Sequence, residues 1–345
     1  MKTLKNFNFK NKKVLVRCDF NVPLSEKGNV LDDFRIKSTL PTIEYLIKEE
    51  AKIILMSHLG RPEGKAVVGL KLTPIQKLLE KYLNLPVKKS EDCIGKETEE
   101  LINKMKAKEV LLLENLRFHK EEEENDDSFA RELAKLGDIY INDAFGASHR
   151  SHASIVGIPK YLPSAAGLLL EKEIRVLTDL MKNSKKPLLA IIGGAKVETK
   201  AELINKISES ADFVLIGGLI KKEIEEKKIS LNYPQKIVVP FDEVDERDIG
   251  EKTIKLFKEK ILSAKTIFFN GVLGQIEKEE FTKGTEEILR AIIQSGAFSV
   301  VGGGEMVEFV NKLGLIEKFN HVSTGGGAMI AFLSGEKLPG IEALK

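Results

Sequence analysis

Residues 190–200 read AIIGGAKVETK, an apolar run that stops at two glycines and is followed by Lys196 and Lys200. The run predicts a buried strand, and glycine permits backbone conformations and close approaches that a Cβ would block. If a helix begins at the glycines, its free N–H groups point outward and the two lysines share one helix face. The glycine spacing matches neither the phosphate loop nor the dinucleotide fingerprint. By itself the stretch indicates either an anion site or a turn leading into a helix with two solvated lysines.

Short apolar runs alternate with charge-rich, helically periodic stretches along the whole chain. This alternation is typical of a parallel sheet flanked by helices. The chain has 345 residues, which exceeds what one hydrophobic core usually fills, so about two domains are expected. We therefore predict an α/β fold with two Rossmann-like domains, each a parallel sheet flanked by helices. The runs are VLV at 14, IILM at 53, VLLL at 110, IYI at 139, LLAII at 188, FVLI at 213, IVV at 237, IFF at 267, SVV at 299 and HVS at 321.

A helical stretch lies between the two groups of runs. Residues 163–185 read PSAAGLLLEKEIRVLTDLMKNSK, which has helical spacing and ends in a polar break before Pro187. We interpret residues 166–184 as a hinge helix that joins a first domain, residues 1–165, to a second domain, residues 185–327.

The composition excludes several classes of partner. Lys and Arg number 54 against 52 Asp and Glu, a net charge of +2, so the chain has no general field for nucleic acid or an anionic membrane. The N-terminus lacks the apolar core of a signal peptide, and no segment is long and apolar enough to span a bilayer. Cys18 and Cys93 show neither metal-ligand spacing nor a disulfide framework, which is typical of a reduced cytosol. We expect a cytoplasmic monomer that binds small molecules.

The residues that follow the strands of the first half are rich in Arg and His. Ligands of open parallel sheets bind at the carboxyl ends of the strands, so these residues should converge. Guanidinium groups match phosphate and carboxylate bidentately, which predicts a site for a small, multiply charged anion, with Asp19 and Asn21 accepting a bond from a substrate hydroxyl. Ordinary surface charge is the alternative, but it explains cations after four successive strands poorly. The acidic run Glu121–Glu124, with Asp126 and Asp127, is interpreted as a solvated helix start without a chemical role. The candidates are Arg17, Asp19, Asn21, His58, Arg61, Arg117, His119, His149, Arg150 and His152.

Glycine, instead of cations, follows most strands of the second half. The stretches are GGAK, GGL, NGVLG, GGGEM and TGGGA. Glycine-rich turns let backbone N–H groups reach phosphates and let a flat base lie on the main chain. Several such turns on one sheet edge favour a nucleotide. A nicotinamide dinucleotide is the competing ligand, and it is disfavoured because GGGEMV and GGGAMI each lack the third glycine.

An acid-binding domain joined to a nucleotide-binding domain predicts phosphoryl transfer between their ligands. If the acceptor is a carboxylate, it is already ionised and needs no general base. This fits a cluster that is rich in cations and poor in candidate bases. Catalysis would then consist mainly of positioning and of charge stabilisation of the phosphoryl group.

Eleven stretches of the chain resemble the phosphoglycerate kinase family in their order and context. The resemblance implies reversible phosphoryl transfer between 1,3-bisphosphoglycerate and Mg-ADP, giving 3-phosphoglycerate and ATP, the activity of a phosphotransferase with a carboxyl acceptor (EC 2.7.2.3). It also implies that a C-terminal segment, about residues 328–345, folds back onto the first domain. The stretches are VRCDFNVPL, DDFRI, SHLGRPEGK, LLLENLRFHKEEE, NDAFGASHRSHAS, GLLLEKE, GGAKVETK, DIGEKT, NGVLGQIEKEEF, VVGGGE and VSTGGGA.

The resemblance assigns roles to individual residues of this chain. Arg35 and Lys196 would neutralise the phosphoryl group in transfer, helped by the amides of Gly303, Gly326 and Gly327. The substrate-binding residues that it implies are Asp19, Asn21, Arg35, His58, Arg61, Arg117 and Arg150. The residues implied for ATP or ADP are Gly194, Ala195, Lys196, Lys200, Gly217, Gly218, Asn270, Glu277, Gly302, Gly303 and Gly304, with Glu305 as the Mg²⁺ ligand.

The second half departs from the family pattern at several positions. Glu305 and Met306 stand where the family usually has Asp followed by Thr or Ser, Val272 replaces a proline, and the chain is shorter between Gly218 and Gly250. We therefore expect weaker or less selective nucleotide binding. The alternative function is a nucleotide-binding or sensing protein of the same fold with weak turnover, and a dehydrogenase ranks third. The retained Arg35, Lys196 and Lys200 argue against a sensor.

Overall fold

The computed structural model describes residues 1–195 and 197–345. The chain forms two compact units. The first comprises Met1–Glu173 together with Lys337–Lys345, and the second comprises Ile174–Glu336. No helix among the described residues is long and apolar enough to cross a membrane.

The first unit is built on a six-stranded parallel sheet of order β3-β4-β2-β1-β5-β6. Its inner strands are runs of Val, Ile and Leu that are buried along their length, as expected for a sheet covered on both faces. Each fully buried side chain of this type contributes about 1.5–3 kcal/mol. The strands are β1 (Lys13–Arg17), β2 (Lys52–Met56), β3 (Val87–Lys89), β4 (Val110–Leu112), β5 (Ile139–Asn142) and β6 (Ser164–Ala166).

Six helices accompany this sheet, and the last of them continues into the second unit. Asp126 begins one of these helices by accepting a hydrogen bond from the N–H of Phe129 at 2.8 Å, an N-cap interaction. The helices are α1 (Phe34–Lys48), α2 (Thr73–Leu83), α3 (Lys96–Asn103), α4 (Lys120–Glu123), α5 (Asp127–Lys135) and α6 (Leu168–Lys182).

The second unit contains another six-stranded parallel sheet, of order β14-β13-β12-β7-β8-β9, and a two-stranded antiparallel pair, β10 and β11. The strands are β7 (Leu188–Ile192), β8 (Phe213–Ile216), β9 (Ile237–Val238), β10 (Glu243–Val244), β11 (Asp248–Ile249), β12 (Thr266–Asn270), β13 (Phe298–Gly302) and β14 (His321–Val322). The helices of this part of the chain are α7 (Val197–Ser208), α8 (Gly218–Glu226), α9 (Glu251–Ser263), α10 (Lys283–Ser295), α11 (Gly304–Lys312) and α12 (Gly326–Leu333). A short helix, α13 (Pro339–Glu342), belongs to the first unit.

The predicted α/β class with two parallel, helix-flanked sheets is confirmed, and all ten predicted runs form strands. The strand order places a topological switch point between β1 and β5 in the first sheet and between β7 and β12 in the second. Ligands of open parallel sheets bind at the carboxyl ends of the strands beside such points. Residues after these strands are therefore the ones that can form a site.

Candidate active site

A buried polar network lies at the carboxyl end of β1. Arg17, the last residue of this strand, is fully buried, and its Nη2 lies 3.2 Å from Nδ1 of His58. Its Nε donates to Oγ of Ser154 at 2.7 Å, and that hydroxyl donates to Oε1 of Glu122 at 2.6 Å. The carboxylate of Glu122 also lies 3.8 Å from Nη2 of Arg17, so the buried guanidinium has a counter-charge.

The network fixes the protonation state of His58. Burial lowers the pKa of His58 well below its usual value, and the positive charges of Arg17, Arg117, Arg150 and Arg35 lower it further. A guanidinium only donates hydrogen bonds, so Nδ1 of His58 accepts from Arg17 and the ring proton resides on Nε2. His58 is therefore a neutral hydrogen-bond donor inside a cluster of four arginines.

The structure brings together Asp19, Asn21 and Arg35, three of the residues expected to bind the substrate. Nη1 of Arg35 lies 3.1 Å from Oδ2 of Asp19 and donates to the carbonyl of Asn21 at 3.0 Å. The side-chain oxygen of Asn21 accepts the N–H of Gly60 at 2.9 Å. Arg35 is partly exposed, whereas Asp19 is buried. The guanidinium is held at the surface of the cluster, where a ligand can reach it.

The predicted residues Arg61 and Arg117 meet at the backbone of Gly60. Arg117 is buried and its Nη1 donates to the carbonyl of Gly60 at 2.7 Å, while Arg61 follows Gly60 and is exposed. Nη2 of Arg117 pairs with Glu123 at 3.0 Å. Its Nε is buried without a hydrogen-bond partner among the described residues.

Arg150 completes the cluster together with two histidines. Its charge lowers the pKa of His58, of His149 and of His152, in each case after the larger effect of burial. The pKa of His152 falls to about 3 although Glu122 lies 3.8 Å from its Nδ1, because burial and the arginines outweigh that carboxylate. The positive field here comes from arginine, and these histidines are neutral.

The structure corrects the interpretation of the acidic run Glu121–Glu124. Glu122 is fully buried and accepts hydrogen bonds from both the N–H and the hydroxyl of Ser154, and Glu123 pairs with Arg117. The run is thus not merely a solvated helix start. Sequence spacing gave no signal for this, because the partners lie on separate segments.

In the second unit, three helices begin at glycines that follow strands of the sheet. Gly217 precedes α8, Gly303 precedes α11, and Gly326 is the first residue of α12. Gly303 has a φ of +111°, a conformation that favours glycine. A Cβ placed on Gly326 would lie 3.3 Å from the nitrogen of Gly304, so these two turns are adjacent. The N-termini of α11 and α12 thus lie side by side, and their first N–H groups have no partner within the helix.

The turn at Gly217 and the first turn of α11 border a cavity of ≈ 310 Å³, a size suited to a small-molecule ligand. Among the described residues, the predicted Gly302, Gly303 and Gly304 do not line it. The structure brings five of the predicted nucleotide residues and the predicted metal ligand to its wall. The sequence did not predict the apolar residues of the cavity wall, although each of them closely follows a glycine that was predicted at the end of a strand. The predicted residues at the wall are Gly194, Ala195, Gly217, Gly218, Glu277 and Glu305, and the apolar ones are Leu219, Ile220, Val272 and Leu273.

Lys200 and Asn270 form a buried pair in this unit. Nζ of Lys200 donates to Oδ1 of Asn270, whose Nδ2 donates to the carbonyl of Gly302 at 3.0 Å. Burial lowers the pKa of Lys200 to about 8, and the charge of Glu305 partly opposes this. Lys196 lies outside the described residues. The exposed Gly327 occupies the first turn of α12.

The residues at the cavity fit a divalent cation. Glu305 is an exposed carboxylate in the first turn of α11, and it lines the cavity. Mg²⁺ in nucleotide sites takes one or two carboxylates and completes its shell with phosphate oxygens and waters. Glu305 would supply that carboxylate oxygen.

Comparisons with known proteins agree over the whole chain. A family model described as Phosphoglycerate kinase matches residues 4–231 and 221–336. The chain is similar to a phosphoglycerate kinase of Borrelia turicatae, with 41% identity over 392 aligned positions that cover 100% of this chain and 99% of the relative. It is similar to a phosphoglycerate kinase of Moorella thermoacetica, with 43% identity over 387 positions, 99% of this chain and 98% of the relative.

Solved structures show the same similarity. A crystal structure of phosphoglycerate kinase from Pyrococcus horikoshii matches with a TM-score of 0.88 and 33% identity, covering 100% of this chain and 98% of that one. The structure of phosphoglycerate kinase from Coxiella burnetii matches with a TM-score of 0.81 and 31% identity, covering 99% and 98%.

Two α/β units, one with an arginine cluster and one with glycine turns at the switch point, define a phosphotransferase of the kinase class. The family model covers nearly the whole chain, and full-length relatives exceed 40% identity. The chain belongs to the phosphoglycerate kinase family. Neither the sensor alternative nor the dehydrogenase is favoured by these matches.

Proposed function

We propose that the chain catalyses reversible phosphoryl transfer between 1,3-bisphosphoglycerate and Mg-ADP, giving 3-phosphoglycerate and Mg-ATP. In the direction of ATP consumption, a carboxylate oxygen of 3-phosphoglycerate attacks the γ-phosphorus and the bond from that phosphorus to the β–γ bridging oxygen breaks. The ionised carboxylate carries no proton, so no general base is needed. The convergence of Arg17, Arg35 and Arg117 on residues 19–21 and 58–60 is the observation that carries the proposal.

The first unit is the proposed phosphoglycerate-binding domain. Guanidinium groups bind carboxylate and phosphate oxygens through paired N–H donors, and the partly exposed Arg35 presents such a group. Nε2 of His58 donates one further hydrogen bond. Asp19 and Asn21 accept from the substrate hydroxyl, and Arg61 adds exposed positive charge.

The charge on the transferring phosphoryl group is stabilised by two side chains and by backbone amides. Arg35 supplies a partly exposed guanidinium, and Lys196 supplies an ammonium group by resemblance to the family. The amides of Gly303, Gly326 and Gly327 at the helix N-termini donate to the phosphoryl oxygens. Such fixed donors act on the charge that develops in the transition state.

The second unit is the proposed nucleotide-binding domain. ATP or ADP occupies the cavity, with its base along the glycine turns of residues 193–195 and 217–218 and its ribose on Glu277. Lys200 binds the nucleotide phosphates, and Asn270 orients that lysine. Mg²⁺ neutralises phosphate charge when it is bound, and Glu305 provides a protein oxygen for it.

Two substitutions in this unit support weaker nucleotide binding. Met306 is fully buried, and methionine has no hydroxyl to offer a ligand where the family usually has Thr or Ser. Val272 lines the cavity where the family has proline, and a non-proline residue leaves this turn less constrained.

A coupled assay of the purified protein with 3-phosphoglycerate and Mg-ATP tests the proposal. We expect ATP consumption that depends on 3-phosphoglycerate, with ³¹P NMR showing an acyl phosphate. Arg150→Met should raise KM for 3-phosphoglycerate, whereas Arg131→Met, an exposed arginine paired with Asp127, should not. Binding of both ligands without turnover would establish the sensor alternative instead.

We also propose a cytoplasmic monomer without nucleic-acid or membrane partners. The net charge of +2 and the two free, buried cysteines support this. Light scattering on a size-exclusion column measures the mass directly, and a mass of twice 38.4 kDa would contradict the monomer.

A further inference from the structure

A mixed group of potential metal ligands lies in the first unit, on segments after β3 and β4. Among the described residues, Asp92, Cys93 and His119 are the one group of three such side chains whose ligand atoms all lie within 4.8 Å of one another. Nε2 of His119 is 2.7 Å from Oδ1 of Asp92. Asp92 and His119 reach solvent, while Cys93 is buried beneath them.

Both segments are held in place by neighbouring side chains. Thr98 is buried in α3 and its hydroxyl donates to the carbonyl of Asp92 at 3.2 Å, and it is also bonded to the hydroxyl of Ser90 at 2.7 Å. The ring of His119 stacks on that of Phe129, with centroids 5.2 Å apart. The hydrogen bond from Thr98 to Asp92 and the stacking of Phe129 on His119 are outer contacts of the kind that orient metal ligands.

The electrostatic surroundings favour a cation. The group itself contains the carboxylate of Asp92, and Glu121 follows His119 two positions later in the chain. The site thus combines a negative field with one sulfur, one nitrogen and one oxygen donor. Soft and borderline donors of this kind select zinc-like ions over Mg²⁺ or Ca²⁺.

We propose that Asp92, Cys93 and His119 bind a Zn²⁺-type divalent ion through three protein ligands, with water in the fourth position. Tetrahedral ligands at about 2.0–2.3 Å from zinc lie roughly 3.2–3.8 Å apart, so Nε2 of His119 and Oδ1 of Asp92, which are 2.7 Å apart, would separate on binding. The thiol of Cys93 gives up its proton to solvent on binding, and the imidazole of His119 binds in its neutral form.

The ion would join the segment after β3 to the turn Leu116–Phe118, which carries Arg117 of the anion site. A ligand that binds only the folded chain stabilises it, so Zn²⁺ should raise the thermal midpoint. The effect inferred is on the stability of the fold, and it does not depend on the kinase activity.

Titration of the purified full chain with Co²⁺ tests the site, because a cobalt–thiolate bond produces a charge-transfer band in the near ultraviolet. We expect this band in the wild type and in Cys18→Ser, and we expect its loss in Cys93→Ser. Cys18 is the matched control, since it is the other free and buried cysteine. Asp92→Asn and His119→Gln change side chains that reach solvent, and each should weaken Zn²⁺ binding by at least about tenfold.

A thermal shift gives a second measurement. At a hundredfold excess of Zn²⁺ over its Kd, the wild-type midpoint should rise by about 5 °C, and that of Asp92→Asn should rise less. The proposal is wrong if wild-type protein gives no charge-transfer band, or if Cys93→Ser keeps it. An equal midpoint shift in wild type and Asp92→Asn would place any bound ion elsewhere.

Discussion

Arg17 donates a hydrogen bond from its Nη2 to Nδ1 of His58 over 3.2 Å, and both side chains are buried. Burial and this contact together keep the imidazole neutral, and the contact leaves its Nε2–H free to donate. The guanidinium itself is compensated by Glu122 through Ser154. The orientation of His58, a proposed substrate-binding residue, therefore depends on Glu122, which acts on it through Arg17.

Glu122→Gln should destabilise the fold strongly, because it leaves the buried charge of Arg17 without its counter-ion. We expect the free energy of unfolding to fall by about 3–5 kcal/mol. Glu124→Gln changes an exposed residue of the same run and should shift it by less than about 0.5 kcal/mol. Urea unfolding measures the free energy of unfolding of both variants. Equal changes in the two variants would mean that Glu122 is no more important to stability than a solvated residue of the same run.

The buried histidines should make the protein less stable in acid. The pKa of His152 is lowered to about 3 and that of His58 is also lowered, so below about pH 6.5 the unfolded chain takes up protons that the folded chain does not. Stability should therefore decline from about pH 6.5 downward, by at most about 1.4 kcal/mol per pH unit for each histidine. Urea midpoints from pH 7 to pH 5 measure the decline.

His152→Gln should flatten that decline. His119→Gln is a control of opposite sign. Hydrogen bonding to Asp92 raises the pKa of His119, so the stability that this histidine contributes is present in acid and is lost as pH rises. The same slope in His152→Gln and wild type would contradict the assignment.

Arg35→Ala should reduce turnover far more than stability. The side chain is partly exposed, and we propose that it serves charge developing during transfer, so kcat should fall about 100-fold or more. Lys37→Ala removes a cation from the same helix, paired with Asp33, and should leave kcat unchanged. Near-normal kcat in Arg35→Ala would remove this residue from the mechanism.

Nucleotide affinity should weaken above about pH 8. Burial lowers the pKa of Lys200 to about 8, so its positive charge is lost from the free protein as pH rises through that value. Calorimetric titration with Mg-ADP from pH 7 to pH 9 should show falling affinity coupled to proton uptake, and Lys200→Met should abolish the trend. Lys206→Met changes a partly exposed lysine of α7 paired with Glu209 and should retain it.

Glu305→Gln should raise the Mg²⁺ concentration needed for nucleotide binding, because the amide replaces a charged, hard oxygen donor. Glu317→Gln removes the same charge from an exposed position just beyond α11 and should have no effect. Superimposable Mg-ADP titrations of Glu305→Gln and wild type would count against a metal role.

Local sequence pattern determined the sheets. Runs of Val, Ile and Leu predicted ten strands, because a parallel strand buried on both faces is apolar along its length. The three-residue strands β3 and β6 carry no such pattern: β3 reads VKK with one buried residue, and β6 reads SAA. Their pairing with β4 and β5 places them in the sheet.

The sequence also predicted which post-strand residues lie together in the proposed anion site. Parallel strands end at the same edge, so side chains just after them converge without knowledge of the fold in detail. That rule selected Asp19, His58 and Arg117 from the sequence, and the structure places them in one cluster around the carboxyl end of β1.

The tertiary structure alone decided which buried groups compensate one another. Arg17 meets Ser154 across 137 residues, and His119 meets Asp92 across 27. Periodicity reports the environment of a residue along its own helix or strand, whereas these pairs depend on how separate loops pack against each other. The sequence therefore determined the two sheets and the residues at their edges, and packing decided the counter-ion of Arg17 and the grouping of Cys93 with an aspartate and a histidine.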